Sequence, residues 1–93
     1  MKKIKWEKDK EIIFTFSNPN HKDTKKAKIQ IFKKNKLILF DIMNEHDIIP
    51  DVFIYKRYPD VSGNFKINYI TNKNIYEEEI NIEEKQINIS KEW

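Results

Sequence analysis

The chain has 93 residues, a formal net charge of +3, no cysteine and a single glycine, Gly63. That length suits one domain over residues 1–93 with a modest core, and the composition excludes disulfide staples, zinc ribbons, thiol nucleophiles and glycine-rich phosphate loops. No apolar run approaches the ~18 residues of a membrane span, and Met1 to Glu7 lacks the apolar stretch of a signal peptide, so a cytoplasmic domain without membrane contact is expected.

Residues suited to a pleated sheet dominate. Ile, Val, Phe, Tyr, Trp and Thr number 34, against five of Ala, Leu and Met. Branched and aromatic side chains fit strands and lose rotamer freedom in helices. Ile4 and Trp6 alternate with lysines in a first predicted strand, and Ile12, Phe14 and Phe16 form the inward row of a second. The stretch 17–23, with Pro19 among asparagines, reads as a loop. Strands are expected at about 26–33 and 37–43. A second loop then runs over 44–51, with room for one helical turn. Further strands follow at 52–58, 64–71, 75–82 and 86–90. No segment sustains a helical period. The pattern predicts a single antiparallel β-sandwich of seven or eight short strands, immunoglobulin-like in layout, with a small closed barrel as runner-up.

Two hairpins allow a register argument. A turn at Lys73-Asn74 sets Ile67 opposite Ile80 and Phe65 opposite Ile82. Phe65, Ile67, Tyr69, Tyr76, Ile80 and Ile82 then share one face, with Lys66, Asn68, Ile70, Glu77, Glu79 and Asn81 on the other. A turn at Asn35-Lys36 sets Ile31 opposite Phe40 and Ile29 opposite Ile42, so that Ile38, Phe40 and Ile42 join the core. The reverse face of this hairpin carries Phe32, Leu37 and Leu39. These three are either covered by another layer or form a lysine-ringed contact patch.

The charge is divided along the chain. Residues 1–36 carry twelve lysines and four acids, a net +8; residues 37–93 carry a net −5. Lys25, Lys26, Lys28, Lys33, Lys34 and Lys36 form the basic concentration, and Glu77, Glu78, Glu79, Glu83 and Glu84 the acidic one. Such asymmetry suits polar partner surfaces, but adjacent basic and acidic strands would cancel it locally. Ile, Lys and Asn share AT-rich codons, which weakens any argument from lysine number. A dedicated phosphate binder would be expected to keep more arginines.

Catalytic constellations are sparse. Three serines, three threonines and two histidines show no spacing of a nucleophile with its base and orienting acid. Asp41, Glu45, His46, Asp47 and Asp51 offer oxygen donors, but without the spacing or glycine of a calcium loop, and they read as turn formers. Pro50-Asp51 with Glu83-Glu84-Lys85 formally resembles the PD…(D/E)xK nuclease pattern, whose core needs helices that the sequence pattern does not suggest. No enzyme, cofactor or metal is therefore expected.

The expected function is a non-catalytic protein-interaction module that binds and blocks or scaffolds a protein partner. An inhibitor of a host defence complex, carried by a phage or mobile element, would fit the size. Tyr55, Arg57 and Tyr58 combine the residue types concentrated at interface centres, and Phe32, Leu37, Leu39 and Trp93 complete the candidate contact set. The alternative is a single-stranded nucleic-acid binder that uses the N-terminal lysine-rich face, with Trp6 and Phe32 as stacking platforms.

Overall fold

The computed structural model describes residues 1–7, 10–19, 26–57 and 62–84. Eight strands run in chain order: β1 (Lys2–Trp6), β2 (Ile12–Ser17), β3 (Lys28–Lys33), β4 (Lys36–Ile42), β5 (Asn44–Glu45), β6 (Val52–Arg57), β7 (Gly63–Ile70) and β8 (Ile75–Glu84). They form a five-stranded sheet, β1-β8-β7-β3-β4, and a three-stranded sheet, β2-β6-β5. No helix occurs among the described residues, and the sheets do not close into a barrel, so the architecture is a β-sandwich. The strand expected at 86–90 lies outside the described residues.

One strand pair departs from the expected antiparallel plan. β1 runs parallel to β8, with Ile4 opposite Ile82. Parallel neighbours need a long connection, and here the connection is nearly the whole domain, so no local turn signals the pairing. The 44–51 stretch is also not helical. It opens with the two-residue β5, then turns where His46 Nδ1 accepts the amides of Ile48 and Ile49 at 3.1 and 3.0 Å.

The core follows the alternation of each strand. Ile12, Phe14 and Phe16 of β2 and Phe53 of β6 meet Ile29, Ile31, Phe65, Ile67, Tyr69, Ile80 and Ile82 from the larger sheet. Phe16 ties the sheets together, stacked on Tyr69 with centroids 4.9 Å apart and tilted against Tyr76 at 5.3 Å. Such ring pairs add to the burial of their apolar area. Between β4 and β5 the chain changes sheet through the buried Met43, whose amide donates to the Ala27 carbonyl at 2.8 Å.

Both hairpin registers differ from the sequence expectation. In β7–β8, Tyr69 faces Tyr76 and Phe65 faces Ile80, two residues away from the predicted pairing. Thr71–Asn74 form a four-residue loop, closed by the Thr71 amide on the Asn74 carbonyl and by the Asn74 amide on Thr71 Oγ1. A two-residue shift preserves the side-chain alternation, so every predicted core residue of this hairpin keeps its face.

The β3–β4 hairpin turns at Lys34-Asn35, not Asn35-Lys36. Both turn residues have positive φ, 50° and 63°, as a two-residue hairpin turn of the right hand requires. Ile31 now opposes Leu39 and Ile29 opposes Asp41, while Phe32 opposes Leu37 and Ile38 is left unmatched at an irregularity. The turn alone shifts the pairing by two residues and would keep each face; the extra residue at Ile38 reduces the shift to one and turns Leu39 to Ile42 over, while Leu37 stays outward beside Phe32. Ile38, Phe40 and Ile42, expected in the core, are 41%, 55% and 60% exposed, and Leu39 packs against the core in their place.

Candidate functional site

The candidate contact residues fall on different surfaces. Tyr55 and Arg57 lie on the side of β6 that faces the core, opposite Phe14 and Ile12. Tyr55 is partly buried against the core, and its hydroxyl donates to Asp41 Oδ2 at 2.7 Å. Burial, reinforced by this bond and by the Asp41 charge, raises the Tyr55 pKa. The same bond and the Ile42 amide hold the Asp41 carboxyl below its ordinary value. Asp41 and Tyr55 thus pin the edge of one sheet to the other. Tyr58 and Trp93 lie outside the described residues. The set Phe32, Leu37 and Leu39 is split: Phe32 and Leu37 face outward as a pair, while Leu39 turns inward.

The acidic concentration on β8 meets lysines from outside the basic one, which lies around β3 and β4 with β7 between β3 and β8. Lysine-rich β1 lies beside glutamate-rich β8, with Lys3 opposite Asn81 and Lys5 opposite Glu83. Lys66 Nζ reaches Glu77 at 3.1 Å and faces Glu79 across the ladder. Glu78 points inward and accepts the Tyr69 hydroxyl at 2.9 Å. Burial first, and then the Glu78 charge and hydrogen bond, push the Tyr69 pKa well above the usual tyrosine range. A phenol held so firmly in its neutral form suits a structural hydrogen bond, not proton transfer. Glu83 and Glu84 end β8, exposed.

Lys28 stands over the Phe40 ring at 5.8 Å. Lys33 stands over the Phe65 ring at 5.5 Å and donates to the Ser62 carbonyl. Lys26, Lys34 and Lys36 are exposed, and Lys25 lies outside the described residues. Trp6, considered above as a stacking platform, is buried at 8% exposure. Among the described residues no three His, Cys, Asp or Glu side chains gather to hold a metal. In the 41–51 stretch, Asp41 and His46 are engaged in the local bonds described above. Asp51, with φ 60°, precedes β6 in the small sheet, whereas Glu83 and Glu84 lie in the large one.

The surface that stands out was missed by the alternation argument. β4 is the last strand of the five-stranded sheet, and Leu37, Ile38, Phe40 and Ile42 are all more than 40% exposed. Ile75, at the far end of the Ile42–Lys28–Ile70–Ile75 row, is 65% exposed. The backbone of β4 is open as well. Met43 bonds toward Ala27, and bonded pairs alternate along an antiparallel ladder. Asp41 and Leu39 therefore point their amides at β3, while Phe40 and Ile42 point theirs outward. The Ile42 amide instead meets Asp41 Oδ1 at 2.8 Å. Asn35 marks the Lys34-Asn35 turn, since asparagine tolerates a positive φ, but that turn alone keeps Phe40 on the core face; the irregularity at Ile38 turns it outward, and no residue signals it in the sequence.

No family model, curated protein or solved structure matches this chain. Its class rests on the fold alone, an all-β two-sheet sandwich domain.

Proposed function

We propose that the protein is a non-catalytic interaction domain that engages a protein partner through the β4 edge and the outward face beside it. The observation that carries this reading is the coincidence on one strand of unpaired backbone groups and exposed large apolar side chains. Exposed apolar edges of this kind are templates for strand addition. The opposite edge, β1, is guarded by Lys2, Lys3 and Lys5 in a five-residue strand, whereas β4 holds only Lys36 and Asp41 at its ends. In this reading the domain blocks or scaffolds its partner. Its size and its want of a catalytic constellation suit a small inhibitor, such as a phage or mobile element directs at a host complex. Interleaved charges on β1 and β8 weigh against a continuous phosphate-binding face.

Immobilised protein is expected to capture a defined partner from host lysate, and Phe40→Glu to abolish that capture without lowering the thermal transition. Retention of the same partner by Phe40→Glu would remove the β4 surface from the reading. Steeply salt-dependent binding of single-stranded oligonucleotides would replace it with nucleic-acid recognition.

A further inference from the structure

Resting on that reading of the β4 edge, we infer that the edge is self-complementary and that its occupant is β4 of a second copy, paired antiparallel about a twofold axis. The outward-pointing backbone sets the register. A two-residue turn makes Lys33–Lys36 a bonded pair, so Leu37 points its amide and carbonyl away from β3, as Phe40 does on the other side of the irregularity at Ile38. Leu37 of each copy then bonds Phe40 of the other, with the axis between Ile38 and Leu39. The irregularities of the two strands coincide at the axis, where they do not interrupt the bonds. The next outward donor, the Ile42 amide, already bonds Asp41 Oδ1, so the pairing ends there of itself.

The side chains fit the same register. Leu37 and Phe40 share the outer face, since their β3 partners Phe32 and Gln30 oppose Lys66 and Asn68 of β7. They meet across the axis as two apolar pairs, 44% and 55% exposed in the single chain. Lys36 and Asp41 share the inner side. Lys36 opposes Lys33, which reaches over the buried Phe65, and Asp41 opposes the buried Ile29. Antiparallel pairing sets each Lys36 against the other copy's Asp41, whereas parallel pairing would set like charges together. Within one chain Lys36 faces another lysine, and among the described residues no acid bridges it. The second copy supplies the missing countercharge. An ionised carboxylate has acceptor sites beyond the two that Tyr55 and Ile42 use. A strand pair this short buries less than the ~1,200 Å² of standard stable complexes, so the dimer exchanges with monomer.

Sedimentation velocity over a dilution series tests the pairing. The wild-type chain is expected to shift reversibly from monomer to dimer as concentration rises. Lys36→Glu and Asp41→Lys, each alone, place like charges across the axis and are expected to weaken association at least tenfold. Mixing the two variants restores both opposite-charge pairs and is expected to restore the dimer. Phe40→Pro, which removes an outward amide and leaves the β3 ladder bonds in place, is expected to be monomeric even if Asp41→Lys folds poorly. A wild-type chain that stays monomeric throughout, or a dimer indifferent to Lys36→Glu and Phe40→Pro, overturns the inference. If the chain is monomeric yet Phe40→Glu still loses its captured partner, self-pairing falls and the interaction reading stands. If Phe40→Glu loses neither dimer nor partner, both fall.

Discussion

The two hairpins of the five-stranded sheet respond differently to an error of register. The β7–β8 hairpin pairs two residues away from the alignment that its apolar residues suggest, and every core side chain keeps its face. The β3–β4 hairpin pairs two residues away at its turn but one residue away beyond the irregularity at Ile38, and from Leu39 on β4 turns over. The difference lies in the sequence of each strand. β7 and β8 alternate apolar with polar residues, so burial permits one face and tolerates only even shifts. β4 reads Lys-Leu-Ile-Leu-Phe-Asp-Ile, apolar at both alternations, so burial expresses no preference and the extra residue at Ile38 decides. A strand that can bury either face also leaves large apolar residues exposed whichever face it buries, and an edge position turns that surplus into a contact surface.

The contrast is sharpest in core substitutions. Ile67, fully buried on β7, is expected to cost about 2–5 kcal/mol when changed to alanine. Phe40→Ala on β4, read in dilute solution where the chain is single, is expected to change stability by under ~0.5 kcal/mol despite removing a larger side chain. Denaturant unfolding of both variants checks this, and similar losses would mean that β4 packs as the alternation first suggested.

A second difference is the response to pH: β4 contributes Asp41, whose carboxyl is held low, and the β7–β8 hairpin contributes Tyr69, whose phenol is held high. The folded chain keeps the Tyr69 proton, under burial and the nearby Glu78, beyond the pH at which an unfolded tyrosine releases it, ordinarily ~10. That contribution is therefore fully present below ~pH 10 and is lost as pH rises through the folded value. Stability is expected to fall on the alkaline side, and Tyr69→Phe to flatten that fall. Phenolate absorbance followed alongside unfolding would show whether one tyrosine titrates only as the fold opens.

The smallest expected effect concerns the turn that starts the β3–β4 hairpin. Asn35→Gly relieves a residue held at φ 63° and is expected to stabilise the domain by about 0.5 kcal/mol. Destabilisation in thermal melts would argue against that turn.

Fold class was legible in the sequence because it rests on a sum over many residues. Excess branched and aromatic side chains, punctuated by turn residues, leave a sandwich as the economical way to bury short strands. The inward rows of β2, β7 and β8 were legible for the same reason: period-two alternation is a local property that survives small errors of alignment. The core role of Tyr55 was visible only as an option, since its hydroxyl bond depends on where β4 places Asp41. The parallel β1–β8 pair left no trace, because the two strands are joined by no turn and their charges carry no record of who lies beside them. The same holds for the β4 edge. Its side chains are written in the sequence, but their exposure follows from the extra residue at Ile38 and from the absence of a neighbour in the sheet, and both are settled only when distant segments pack. Local pattern thus determined which residues alternate, and tertiary packing decided which alternation faces the core, because burial is a property of the assembled sheets and not of any one strand.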